Sequence, residues 1–160
     1  MQPITFFLDF DGTMVEHLYP LVGRVVPHSV RVVRRLQDAG HIVILNTYRA
    51  DCRNGTLEDA TKWLENTWKV GKDDLKPISI LSSKVSPYPF TINGNLQIHH
   101  DLTVGGIIYL DDEAEGTPLL NAYMSMVDMV DWLEVEKILE ENHLFEPTDS
   151  TKLSKSLDNE

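Results

Sequence analysis

The segment Ile4-Thr-Phe-Phe-Leu-Asp-Phe10, which runs straight into Asp11 and Gly12, constrains this chain more than any other. A short unbroken run of β-branched, aliphatic and aromatic residues is the pattern of a buried strand. The glycine after it marks the turn where such a strand stops. The first strand therefore ends at an acidic turn, with Asp9 and Asp11 two residues apart.

The same reading extends along the chain. Pro27 precedes a helical pattern in which Val32, Val33, Leu36 and Ala39 share a face, and Gly40 stands where a helix end favours a left-handed residue. Ile42 to Leu45 follow as a second buried strand. Asp9 to Thr47 thus has the length of a strand, a crossover helix and a strand, a right-handed unit with parallel strands. Thr56 is placed to cap a helix through Leu57, Ala60 and Leu64; Pro77 opens a third strand through Ile78, Ile80 and Leu81; Gly106 to Leu110 form a fourth. Asn93-Gly94 predicts a hairpin that could serve as a flap. Ala122 to Val127 fit a fifth strand or a helix. Asp131, with Glu134 three residues on, resembles a capping box for a last helix carrying Trp132, Val135, Ile138 and Leu139 on its apolar face.

These elements predict one three-layer α/β, Rossmann-like domain over residues 1–146 with a mainly parallel sheet and a minimal cap. A polar, disordered tail over 147–160 would follow. The 160 residues, 42% of them hydrophobic, suffice for one core, in which Trp63, Trp68 and Trp132 are expected at helical positions. The single cysteine, Cys52, allows no internal disulfide, and no leader-like run precedes the first strand, so a cytoplasmic location is the simplest expectation. A net charge of −11 opposes adhesion to anionic membranes and lowers the odds of a nucleic-acid partner. The charge is uneven: residues 24–53 hold six Lys/Arg against two Asp/Glu, so a basic approach for a phosphorylated small molecule stays open, as does a homo-oligomer.

Parallel strands ending at Leu8-Asp9, Asn46-Thr47, Leu81 to Lys84 and Leu110-Asp111-Asp112 would gather their polar residues at one sheet edge, where open α/β sheets bind ligands. That set suits phosphoryl transfer. Asp9 on a tight turn can attack phosphorus, and Asp11 can protonate the leaving oxygen and later deprotonate water. Thr47 and the amide near Gly12 can hold phosphoryl oxygens, with Thr13 and Arg49 as further candidate phosphate contacts. Several carboxylates facing a phosphate dianion require a divalent cation, and oxygen-only ligands point to Mg²⁺, with Asp9, Asp111 and Asp112 as candidates.

Phe7-Leu-Asp-Phe-Asp-Gly-Thr13 matches the DxDGT signature of the haloacid dehalogenase superfamily. Thr47 after an apolar strand resembles that family's second motif, and Tyr109-Leu-Asp-Asp112 its fourth, in the family's order over roughly three quarters of the chain. The resemblance implies a phosphatase with Asp9 as nucleophile, Asp11 as acid/base, Thr47 on the phosphate, and metal held by Asp9, the Asp11 main-chain carbonyl, Asp111 and Asp112. The third motif departs from the pattern: no lysine lies between residues 85 and 110, so Lys84 takes its role by elimination. Neither usual position for a cap holds a large insertion. The resemblance therefore implies a nearly capless member with an open site, which could take a nucleotide, a sugar phosphate or, less favoured, a nucleic-acid 5′-phosphate.

Other readings compete at particular residues. Arg49 can pair with Asp51 instead of phosphate. His99 and His100, adjacent on a strand, point to opposite faces and do not readily share an ion. Cys52 reads as packing. For the whole chain the alternative is a protein of the same fold that binds a nucleotide or sugar phosphate without turnover. A signalling receiver domain would carry its phosphorylated Asp on the third strand, where this chain has Ser82-Ser83-Lys84.

Overall fold

The computed structural model describes residues 3–68, 75–85, 99–101, 105–114, 116–121 and 128–144. Its centre is β1 (Ile4–Leu8), flanked on one side by β2 (Ile42–Leu45) and on the other by β5 (Gly105–Leu110), all parallel. The sheet order is β3-β2-β1-β5-β4, in which β3 (Ser79–Ile80) is parallel to β2 and β4 (His99–Asp101) is an antiparallel edge against β5. Helices flank this sheet in a three-layer α/β, Rossmann-like arrangement, as the strand-helix-strand spacing predicts. Ile4, Phe6 and Leu8 are buried, and so is Thr5, which is why the β1 sequence shows no polar alternation.

Helix α1 (Ser29–Asp38) buries Val32, Val33 and Leu36 and closes with a Schellman pattern. The N–H of His41 donates to Leu36 O at 3.1 Å and that of Gly40 to Gln37 O at 3.1 Å, with Gly40 at φ +89°. Ala39, expected on the apolar face, caps the helix and is exposed. A four-residue helix α2 (Arg49–Cys52) precedes α3 (Thr56–Thr67). The expectation of Thr56 as cap is corrected: Gly55 occupies that position, and Asn54 Oδ1 accepts from both the N–H and the hydroxyl of Thr56, at 3.2 and 2.6 Å. The third strand is shorter than Ile78 to Leu81 suggests, being reduced to two residues, although Leu81 still donates to Leu45 O.

Strands β6 (Leu119–Asn121) and β7 (Asp128–Val130) pair antiparallel as a separate small sheet. Ala122 to Val127, expected as a fifth strand or a helix, the Asn93-Gly94 hairpin and the 147–160 tail lie outside the described residues. Helix α4 (Trp132–Glu141) starts as its sequence predicts, with the Asp131 side chain accepting from Glu134 N at 3.2 Å. Trp132 is in the core, against which Trp63 and Trp68 are partly buried. No helix among the described residues is long and apolar enough to cross a membrane.

Helices α1 and α4 are joined by charge. Glu136 accepts from Arg31 at 2.5 and 3.0 Å and from Arg35 at 2.8 Å, and Arg35 also reaches Glu140 at 2.7 Å. Burial alone would raise the Glu136 carboxyl, but the two guanidinium groups outweigh it and hold its pKa below the ordinary 4.5. A depressed folded-state pKa stabilises the fold above the unfolded value, and that contribution is lost as pH falls through the folded one. Glu136→Gln is therefore expected to lower stability at pH 7 by about 1–3 kcal/mol. Urea denaturation should show the difference from wild type shrinking at pH values below the ordinary glutamate range.

Candidate active site

Strand register builds the site. Leu8 lies opposite Leu110 on one side and Leu45 on the other, so the next residues, Asp9, Asp111 and Asn46, emerge level at the carboxyl edge. The ladder continues one step further, with Asp9 N donating to Leu110 O at 2.9 Å and Asn46 N to Leu8 O at 2.8 Å. The strand order reverses between β1 and β5, and that is the crevice in which open α/β sheets place their ligands.

Three carboxylates converge there. Oxygens of Asp9, Asp111 and Asp112 lie within 4.8 Å of one another, with Asp9 and Asp111 buried. Lys84 Nζ sits 3.3 Å from Asp9 Oδ1 and 3.1 Å from Asp111 Oδ2, and its side chain is 2% exposed. Burial would lower the lysine's pKa, but the Asp9 and Asp111 charges outweigh it and hold the ammonium form. The residue assigned by elimination is thus the cation at the centre. One ammonium does not balance three carboxylates. Burial first, then the Asp111 charge, drives Asp9 well above the usual carboxylate range against the pull of Lys84. Burial also pushes Asp112 up to about 6, a hydrogen bond with Asp9 offsetting part of it and the Asp111 charge adding to it.

The acidic turn is held from outside. Gly12 has φ +82°, and a Cβ on it would come 2.5 Å from Asp112 Oδ2, so glycine serves both the turn and the approach of that carboxylate. Gly12 O accepts from Val130 N at 3.0 Å, Thr13 O from Trp132 Nε1 at 2.7 Å, and Met14 O from Ser29 Oγ at 3.0 Å. The turn is thereby fixed to β7, α4 and α1.

Three residues expected to contact phosphate have partners within the protein. The Gly12 N–H donates to Val15 O at 2.7 Å, inside the turn. The Thr13 hydroxyl, fully buried, donates to Asp9 Oδ2 and accepts from Asp112 N, both at 3.3 Å, so it positions the carboxylates. Arg49, 1% exposed, gives Nε and Nη2 to the two Asp11 oxygens at 2.8 Å each, Nη1 to Thr56 O at 2.9 Å, and Nη2 also to Leu21 O at 2.8 Å. Its carboxylate partner is Asp11, not Asp51. Thr47 keeps its predicted place: it lines the pocket and its Oγ1 accepts from Arg49 N at 3.2 Å, leaving the O–H to donate. The Asp11 carbonyl belongs to the same turn as Asp9. Cys52 also lines the pocket, and its thiol donates to Tyr48 O at 3.2 Å. His99, His100 and Asp101 form the edge strand β4, remote in register from the Asp9 level.

Two contributors carry no motif that sequence reasoning could recognise. Asn46, 1% exposed, accepts from Val85 N at 2.7 Å and donates to Val85 O at 2.8 Å, as a strand neighbour would. Asp51 accepts from Ser83 Oγ at 2.5 Å and Lys84 N at 3.0 Å, and these bonds, the Ser83 one first, hold its carboxyl below the usual range. Together they bracket Lys84 in sequence. The only signal was the polar Asn46 at the end of an apolar strand.

No protein-family model matches the chain, and no curated protein does either. A conserved protein from Bacteroides thetaiotaomicron has a solved structure similar to this one, with a TM-score of 0.53 and 21% sequence identity over 88% of this chain and 93% of that chain. The likeness is one of fold.

Two outcomes follow from this geometry. Asp112→Asn removes a carboxylate whose raised pKa costs the metal-free fold stability as pH rises from the ordinary aspartate range through about 6. With solvent screening allowed for, the variant should gain about 1 kcal/mol at pH 7, read by thermal unfolding. Asn46→Ala should release the Lys84 segment. Acylation of Lys84 by an amine reagent, followed by mass spectrometry, should then approach that of Lys76, whose side chain is 49% exposed.

Proposed function

We propose that the protein is a Mg²⁺-dependent phosphatase that hydrolyses a phosphate monoester through an aspartyl-phosphate on Asp9. The observation that carries this reading is the Lys84 ammonium bridging Asp9 and Asp111 beside Asp112, at the carboxyl edge of parallel strands. Membership of the haloacid dehalogenase superfamily, suggested by the DxDGT turn, is part of the same proposal. The acid trio fits a hard divalent cation: all donors are oxygens, and one from each of the three lies within 4.8 Å of the others. Asp9, Asp111 and Asp112 would hold Mg²⁺, which when bound supplies positive charge to the transferring phosphoryl group.

An Asp9 oxygen attacks phosphorus, and its bond to phosphorus forms as the bond to the leaving oxygen breaks. Lys84 offsets negative charge on the nucleophile and the phosphoryl oxygens, and the Thr47 hydroxyl donates to one of those oxygens. Asp11 gives its proton to the leaving oxygen and then takes one from the water that attacks phosphorus, releasing phosphate and restoring Asp9. For this the Asp11 carboxyl has to loosen from Arg49 when substrate enters. A cytoplasmic site of action agrees with the single free thiol of Cys52.

The bidentate Arg49–Asp11 pair favours a second reading, capture of a phosphorylated ligand without turnover, because both Asp11 oxygens are occupied as acceptors. Phosphate release from a panel of monophosphates with Mg²⁺ separates the two. Under the first reading Asp9→Asn loses release by at least about a thousand-fold, and chelation stops wild-type turnover until Mg²⁺ is returned. Metal-dependent turnover in Asp9→Asn at the wild-type rate would remove the nucleophile assignment, and tight binding without release would favour capture.

A further inference from the structure

The pocket above the carboxylates is small and open, about 190 Å³, and its walls differ sharply from its floor. Buried Asp9 and Thr47 lie at the bottom, while Tyr19 and Tyr48, 38% and 54% exposed, stand at the mouth. Both rings are held in place before any ligand arrives. The Tyr19 hydroxyl accepts from Asn54 Nδ2 at 2.9 Å and its face lies 5.3 Å from the Arg49 guanidinium carbon. Tyr48 covers Lys84 Nζ at 4.3 Å from its ring centre. Rings with such contacts lose less entropy on binding, and the surface they leave exposed offers apolar area for an aromatic partner.

Charge restricts the ligand further. The Arg49 donors go to Asp11 and to main-chain carbonyls, and Lys84 is engaged by Asp9 and Asp111. Asp11 is already paired with Arg49, so the acidic side chains that remain among the described lining residues are Asp112 and Glu113, with His17 beside them. A second phosphate would meet negative charge and no unengaged arginine or lysine there. The volume lies below the roughly 300 Å³ at which ordinary ligand pockets begin, which suits one ring and not an extended chain.

We propose that this site selects a monophosphate whose leaving group presents a planar aromatic ring to Tyr19 and Tyr48, and discriminates against molecules bearing a second phosphate. The proposal rests on the phosphatase reading only for where the phosphoryl group sits. An aryl phosphate, such as a tyrosine phosphate, and a nucleoside monophosphate share this chemistry.

Binding of non-hydrolysable probes tests it without turnover, so its failure is distinct from failure of the phosphatase reading, which is judged by phosphate release. With Mg²⁺ saturating, calorimetry on the wild-type protein should find phenylphosphonate about five- to ten-fold tighter than methylphosphonate. Tyr48→Ala and Tyr19→Ala should each shrink that ratio, and Tyr48→Phe should keep it. With Asp9→Asn as binder, adenosine monophosphate should bind more tightly than adenosine diphosphate. In the same variant, tighter binding of phosphotyrosine than of adenosine monophosphate assigns the aryl source, and the reverse order assigns the nucleoside. Equal affinity for the two phosphonates, a ratio untouched by both alanine substitutions, or tighter binding of the diphosphate would each overturn the proposal, as would binding of neither phosphonate.

Discussion

Crowding of like charge is the constraint around which the structure is organised. Asp9 and Asp111 leave neighbouring parallel strands at the same level, and Asp112 follows immediately, so strand pairing itself forces three carboxylates into a space shared with one lysine. Buried carboxylates repel strongly at low dielectric, and a lone buried charge costs several kcal/mol. Lys84 moderates the repulsion between Asp9 and Asp111 without balancing the trio. Burial first, with the Asp111 charge adding to it, raises the carboxyls of Asp9 and Asp112.

Much of the nearby structure holds these charges still. Asn46 acts as a substitute strand partner for Val85, and Asp51 fastens the residues just before it, so a loop with little regular structure delivers Lys84 to a fixed place. On the other side, Thr13 bridges Asp9 to the backbone of Asp112, while Trp132 and Ser29 take up carbonyls of the turn. Residues two or three steps from the carboxylates thus convert helix packing into carboxylate geometry. The Arg49–Asp11 pair extends this to the candidate acid/base, tying it to the start of α3 through Thr56 O.

The sequence made the framework legible wherever the physics is local. The unbroken apolar run of β1, the spacing of Val32, Val33 and Leu36, the glycine closing α1 and the Asp131 cap of α4 each depend on neighbours within one or two turns, and each is present as expected. The structure differs from the reading where a polar group had more than one possible partner nearby. Thr56 carries a capping residue's chemistry, yet Asn54 reaches its N–H. The glycine of the acidic turn was expected to donate to phosphate, yet its N–H closes the turn on Val15.

Motif spacing and hydrophobic period alone determined that a parallel α/β sheet would bring Asp9, Thr47 and Asp111-Asp112 to one edge, because alternation and crossover length are properties of short stretches of chain. Only the tertiary structure decided that Lys84 stands between Asp9 and Asp111, that Arg49 belongs to Asp11, and that the Thr13 hydroxyl donates to Asp9. Those pairings join residues 4 to 75 positions apart, and which pairs form depends on strand register and on which donors burial leaves without water.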